Sequence, residues 1–404
     1  MASMELVRSG HGRDLRVDLF RGLALWWIFV DHIPGNVMAA YSLHSVALCD
    51  AAEVFVLLAG FGAAKAYGGA MDRHGWLYGA ADALKRAWVL YFAHIFLFVV
   101  YAAQVSNSVA RLDRITYLDE SRLDVLGRLP YRALLEALTL RYQPSLLNIL
   151  PLYVALLAMF AAVLPLLRRP RLLFGLSAAL YIAARWWDLN FPAWHASGWY
   201  FDPFTWQLLF VIGALLAYAP PPPLRPRRLF DALAGFMLLA GLVLQWVVWP
   251  HPALVTWLPI SAAHALLWMD KTSLDPPRVL SILALVWAVV RLIPQRAEWL
   301  LSRPARLFVL LGQHSLPVFC WGIFLGFFAR LALERSDAAG MQLIVNLLGA
   351  LAMLTVAAVA AWFGRRGQAP RRGAAAPSSV LGGAGAAGEV ALAAATTDRH
   401  KGNE

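Results

Sequence analysis

Long apolar stretches alternate along this chain with short polar connections, some rich in arginine and others in tryptophan. Crossing roughly 30 Å of hydrocarbon takes about 20 residues of helix. At that length the pattern predicts helices over 17–34, 47–67, 84–105, 147–167, 171–188, 204–219, 228–249, 278–294, 306–331 and 341–363. The stretch 254–269 is a further candidate, and charge decides its fate. Lysine and arginine in short loops mark the cytoplasmic side. The N-terminus (Arg8, Arg13, Arg16), the second loop (Arg73, Lys85, Arg86), "RRPR" at 168–171 and "RPRR" at 225–228 all belong there, whereas 35–46, 189–203 and 250–260 are poor in positive charge. Counting 254–269 as a span would put "RLIPQRAEWLLSRPAR" (291–306) and "GRRGQAPRR" (364–372) on the wrong side, so it reads as a re-entrant or interfacial element on the outer face. The loop 106–146 is external on the same reckoning, with an amphipathic helix expected near 126–140 in "LGRLPYRALLEALTL".

The expectation is therefore an all-α, polytopic integral membrane protein of about ten transmembrane helices with both termini cytoplasmic. Composition agrees: 60% of the 404 residues are hydrophobic and 15% charged, against about 25% charged in soluble domains. The partition is a cytoplasmic segment 1–16, a transmembrane domain 17–363 and a tail 364–404 too poor in bulky side chains to order itself. "VMAAYS" (37–42) is a weak match to a leader cleavage site, and the first helix reads as retained. The net charge of +11 falls mostly on cytoplasmic loops and tail, so it speaks for a lipid bilayer and against nucleic acid as partner. Cys49 and Cys320, the two cysteines, form neither a disulfide framework nor a metal motif, and no metal site is expected.

Candidate chemistry begins in "RGLALWWIFVDHIPGN" (21–36). Arg21 and His32 are eleven residues apart, which puts them on one helix face about 16 Å from each other. They are either anchors at the two membrane surfaces or parts of one site. Asp18 is placed to pair with Arg21 along the helix, and Asp31 adds a titratable group beside His32. In "CDAAEVFVLLAGFGAAKAY" (49–67), Asp50 and Glu53 share a face at a helix start, where carboxylates serve as caps or charge and orient a histidine base. "LAGFG" supplies small residues for close helix packing. "RWWDLNFPAWHASGWYFDPFTWQ" (185–207) carries five tryptophans interleaved with Asp188, Asn190, His195 and Asp202, suiting either an interfacial belt or a carbohydrate-binding surface. "LGQHSLPVF" (311–319) opens the ninth helix, with His314 and Ser315 as cap or cofactor contact.

Together "DLRVDLFRGLALWWIFVDHIPGN", "DAAEVFVLLAGF", "GWYFDPFTWQLLFVIGA", "DKTSLDPPRVLSILALVW" and "LGQHSLPVFC" resemble the OpgC family, over most of the chain from Arg13 to about Trp321. That family is associated with succinylation of osmoregulated periplasmic glucans. It sits within the wider acyltransferase-3-like group, whose first helix carries an arginine and a histidine with ten residues between them. Arg21 and His32 match that spacing, and Glu53 stands at the group's acidic position. Ala59 replaces a usual serine, and Asp202 stands where asparagine is expected. The resemblance implies a membrane O-acyltransferase of the bacterial inner membrane that moves an acyl group, succinyl by analogy, from cytoplasmic acyl-CoA to hydroxyls of a periplasmic glucan. Under it His32 acts as general base or transient acyl carrier with Asp31 or Glu53 holding the imidazole. Arg21, Arg16 and His314 contact acyl-CoA. Asp50, Trp194, Trp199, Asp202, Asp270 and Lys271 contact the acceptor. The rivals are an acetyltransferase of another envelope glycan and a transporter without chemistry. A transporter often shows internal repeats with paired broken helices, and "RGLALWW…DH" has no second copy.

Overall fold

The computed structural model describes residues 14–112, 114–194, 196–222 and 225–366. Most of the expected cytoplasmic N-terminal segment, His195 and nearly all of the expected disordered tail lie outside the described residues. Among those described there is no sheet; one isolated bridge joins Ala193 and Ala196. The long helices are α1 (Leu15–Asp31), α2 (Ala51–Ala63, continuing through a π-type turn to His74), α3 (Trp76–Leu112), a short amphipathic α4 (Pro130–Leu138), α5 (Ile149–Val163), α6 (Pro170–Trp187), α7 (Pro203–Tyr218), α8 (Arg227–Val243), α9 (Pro276–Leu292), α10 (Arg303–Gln313), α11 (Ser315–Arg335) and α12 (Ala339–Arg366). Among the described residues six helical segments are long and apolar enough to cross a membrane, and Pro203–Tyr218 is a shorter apolar helix. Large apolar side chains stand exposed around the outside, Phe96, Ile182, Phe236 and Leu351 among them. In water such a girdle would favour aggregation; against lipid tails it costs nothing. This is a helical membrane protein.

Local chemistry sets the helix ends. Asp14 caps α1 by accepting from the Arg16 backbone N–H at 3.0 Å. Asp202 caps α7 at 2.9 Å, with Pro203 in the first position, where a missing N–H is harmless. Pro130 likewise starts α4, within the stretch expected to be amphipathic, and α4 buries Ala133, Glu136 and Ala137. The span expected over 306–331 is instead two helices meeting at His314. The cause is Pro317, whose ring in a continuous helix would strike the Gln313 carbonyl. The 254–269 candidate forms a short 3-10 turn and an eight-residue helix, Ile260–Leu267. Its length of about 12 Å is too short to cross.

At two of the helix crossings among the described residues the backbones are in direct contact. A Cβ on Gly22 of α1 would lie 1.9 Å from the Phe308 carbonyl oxygen of α10, and one on Gly312 would lie 1.9 Å from that of Asp18. The "LAGFG" glycines do the same for α2, since a Cβ on Gly60 would lie 1.9 Å from the Phe210 oxygen of α7. Opposite it, one on Gly213 would lie 2.0 Å from Leu57. Only glycine permits such approaches, and in a bilayer that close packing is the main attraction between helices. The connection after α1 is fastened to peripheral α12. Asn36 and Asn346 exchange amide hydrogen bonds of 3.0 and 3.1 Å, and Gln342 donates to the Gly35 carbonyl at 2.8 Å.

Candidate functional site

Where α1 ends and α2, α7 and α9 begin, ionisable groups converge. Asp50 Oδ1 accepts from the Ala52 N–H at 2.8 Å, and Glu53 Oε2 accepts from the Asp50 N–H at 3.0 Å, a reciprocal capping box. The capping role is therefore real, but the same carboxylates also face cations. Arg278 donates through Nε to Glu53 at 2.6 Å and through Nη2 to Asp50 at 3.2 Å. The Lys271 ammonium lies 2.5 Å from Asp50 Oδ2. The Glu53 side chain is fully buried and that of Arg278 is 11% exposed. Two acids and two bases cancel, as burial requires.

The loop carrying Lys271 is held from several sides. The Trp206 indole N–H donates to the carbonyls of Lys271 and Thr272 at 3.2 and 3.1 Å, and the Tyr181 hydroxyl donates to that of Leu274 at 2.8 Å. Arg185 grips the Ser273 carbonyl at 2.8 Å and the Asp275 carboxylate at 2.6 Å. Burial alone would lower the Lys271 pKa, but the charges of Asp50 and Glu53 outweigh it, and the ammonium is held above its ordinary value.

His32 sits at the C-terminal cap of α1, and the charges of Lys271, Asp31 and Asp50 act on its ring. Its Nδ1 is buried and has no hydrogen-bond partner. The expected carboxylates do not meet that atom. Asp31 Oδ1 lies 3.3 Å from Nδ1 of His44. His44 Nδ1 is hydrogen-bonded to Ser42 Oγ at 2.7 Å, and the neighbouring Asp31 carboxylate raises the His44 pKa above its ordinary value. Glu53 is committed to its cap and to Arg278.

Toward the other end, the Arg21 guanidinium donates to the Leu58 carbonyl at 2.9 Å and lies against Gly62, where a Cβ would be 3.2 Å from Nη2. Arg21 therefore lies in the first half of α1, against α2, and His32 at the helix's C-terminal cap. Arg16 is clamped by Asp14 at 2.8 Å and donates to the Ile293 carbonyl at 2.8 Å. His314 lies at the α10–α11 break; no side chain caps α11 there. Beside it Gln313 donates to the buried Asp18 at 3.3 Å. A cavity of about 1030 Å³ opens between α1, α2, α7, α8 and α9, lined by Arg16, Lys65, Arg227 and Arg291 among many apolar side chains. None of His32, Asp50 and Glu53 lines it.

The tryptophan-rich segment divides. Trp186 and Trp187 are exposed at the end of α6, as belt residues are. Trp199 and Trp206 are buried, and Trp199 packs edge-on against Phe191 with ring centroids 5.2 Å apart. Trp194 meets the Tyr142 ring edge at 5.5 Å, with Arg132 over its face. Asp202 is buried as the α7 cap, and burial raises its pKa to about 6. Asp270 accepts from the N–H groups of Thr272 and Ser273, both at 2.9 Å, within the Lys271 loop.

Arg278 escaped the reading of the sequence. Its signal was its place, three residues into an apolar helix, where the helix dipole disfavours a cation; such a residue needs acids from elsewhere. No curated protein and no solved structure matches the chain. A family model described as OpgC protein matches residues 13–365, and the chain belongs to the OpgC family.

Proposed function

We propose that this protein transfers a succinyl group from cytoplasmic acyl-CoA to a hydroxyl of a periplasmic glucan, with His32 as general base. The family supplies the class, a membrane acyltransferase of glucan modification. The observation that carries the mechanism is the His32 ring. It sits at a helix end with Nδ1 buried and unpartnered, beside a charge-balanced group of four side chains. An imidazole not committed to a carboxylate is available to take a proton from an approaching hydroxyl. The sugar oxygen then attacks the thioester carbonyl, the new C–O bond forms, the C–S bond breaks, and the departing thiolate takes up a proton. Such proton transfer is worth typically about 10²–10⁴-fold in rate.

Arg21 holds an anionic part of the donor, since a guanidinium matches phosphate geometry. About 16 Å of helix separates it from His32, a distance an extended pantetheine arm is built to cover. In this reading the Arg21 end faces the cytoplasm and the His32 end the periplasm, about ten helices cross the inner membrane, and both termini are cytoplasmic. The acceptor approaches across the Lys271 loop, past Asp50, Asp202, Asp270 and the segment holding Trp194 and Trp199.

The test is acyl transfer from labelled succinyl-CoA to glucan by purified protein in liposomes. His32→Ala should lose transfer by about 10²-fold or more while still binding the donor. Arg21→Ala should instead weaken donor binding, with Arg21→Lys restoring only part of it. Substantial transfer by His32→Ala would remove the base and return both residues to the role of membrane anchors.

A further inference from the structure

Lys271 differs from its neighbour Arg278 in what its charge does. Arg278 is enclosed, 11% exposed, with Nε on Glu53 and Nη2 against both Glu53 and Asp50. Lys271 keeps 30% of its side chain exposed and meets one carboxylate oxygen, that of Asp50 at 2.5 Å, with its ammonium 5.7 Å from the Phe201 ring centroid. An ammonium carries three donors, so one ion pair leaves it the capacity to hold a second anion. Its backbone does not wander: Trp206, Arg185 and Tyr181 all bond its loop, and the Asp202 N–H donates to the Thr272 carbonyl at 3.1 Å. Its charge also reaches the His32 ring.

A dicarboxylic acyl group brings one problem that an acetyl or other neutral acyl group does not. Its second carboxylate must come out of water close to the reacting carbonyl, and an unpaired charge there is costly. The four charged side chains already balance one another, two of each sign, so an added anion needs a cation with donors to spare. A neutral sugar hydroxyl makes no such demand. We infer that Lys271 is the specificity-determining residue that holds the free carboxylate of a dicarboxylic acyl group while its thioester carbonyl lies at His32. The ammonium then bridges Asp50 and the acyl carboxylate, with Arg278 keeping Glu53 and Asp50 in place behind it. This role rests on the acyl-transfer reading above and assigns the donor's charge to one side chain.

The experiment compares succinyl-CoA with butyryl-CoA, which has the same number of acyl carbons and no second charge, in transfer to glucan by protein in liposomes. The quantity read is the ratio of the two kcat/KM values, from which loss of folded protein cancels. Lys271→Met should lower the ratio at least about tenfold, the scale of one charge-assisted hydrogen bond, through loss of succinyl-CoA use. Lys271→Arg should keep the ratio within about twofold of the parent, since it keeps the charge. An equal fall with both donors in Lys271→Met would make Lys271 a structural partner of Asp50 and overturn the inference. So would a parent protein that uses succinyl-CoA no better than butyryl-CoA. Transfer from neither donor by the parent would overturn the acyltransferase reading itself, and this role with it.

Discussion

Arg278 and Glu53 test whether the charged group is held together as described. With Glu53 fully buried and Arg278 11% exposed, solvent does little to screen them. Arg278→Gln removes the cation that faces both acids and leaves the Glu53 carboxylate buried with only its cap, a loss of about 3–5 kcal/mol for one partner of a buried pair. At 1.4 kcal/mol per tenfold, that is roughly 10²–10³·⁵ in the folding equilibrium. Glu53→Gln is milder. Glutamine still closes the capping box, and Arg278 retains Asp50 at 3.2 Å, so about 1–3 kcal/mol is expected from the lost charged hydrogen bond. The double variant should be less harmed than the sum of the two, with a coupling of about 1–3 kcal/mol as for directly bonded groups. Equilibrium unfolding of the three variants in one detergent–lipid mixture measures all of this. Strict additivity, or Glu53→Gln costing as much as Arg278→Gln, would refute a buried pair organised by its charges.

Gly60→Ala places a methyl 1.9 Å from the Phe210 oxygen, so α2 and α7 must part; a loss of at least about 1–3 kcal/mol is expected in the same unfolding assay, and an unchanged midpoint would contradict the contact. The His44 pKa is raised by the Asp31 carboxylate 3.3 Å away, so the stabilisation from that pair is complete below the unfolded value of about 6.5 and is lost as pH rises through the higher folded value. Melting temperature against pH should accordingly decline more steeply above about pH 6.5 in the parent than in His44→Gln, and parallel curves would dismiss the pair. A reporter joined after Arg365 should read as cytoplasmic, and one inserted within 272–276 as periplasmic; the opposite reading at either place would change the proposed crossing count.

The helices were legible because lipid imposes one pattern on every segment that meets it. Arg21, His32, Asp50 and Glu53 were legible because a charge at the end of an apolar run is conspicuous. What joins them was not. Glu53 meets Arg278 across 225 residues, and no local pattern states which of many cations closes that distance. The tryptophans could not be told apart for a related reason. Trp206 looks like part of an aromatic surface, yet it is wholly buried and its indole holds the Lys271 loop, a distinction that only burial draws. The break at His314 was readable in principle from Pro317, but an apolar run continuing on both sides hid it.

The glycine crossing of α1 also has a mechanical meaning. The backbone contact of Gly22 and Asp18 with α10 holds the first half of α1, so any tilt of that helix would turn about this crossing. Arg21 is next to it and hardly moves. His32 is ten residues away, about 15 Å along the axis, so a tilt of roughly 5° carries it about 1.3 Å, enough to spoil a proton transfer. The far end of the lever therefore needs a stay, and the amide pair between Asn36 and Asn346, with Gln342 on the Gly35 carbonyl, supplies one from α12. A helix at the rim of the bundle thus sets the aim of a residue it does not touch through any of those bonds.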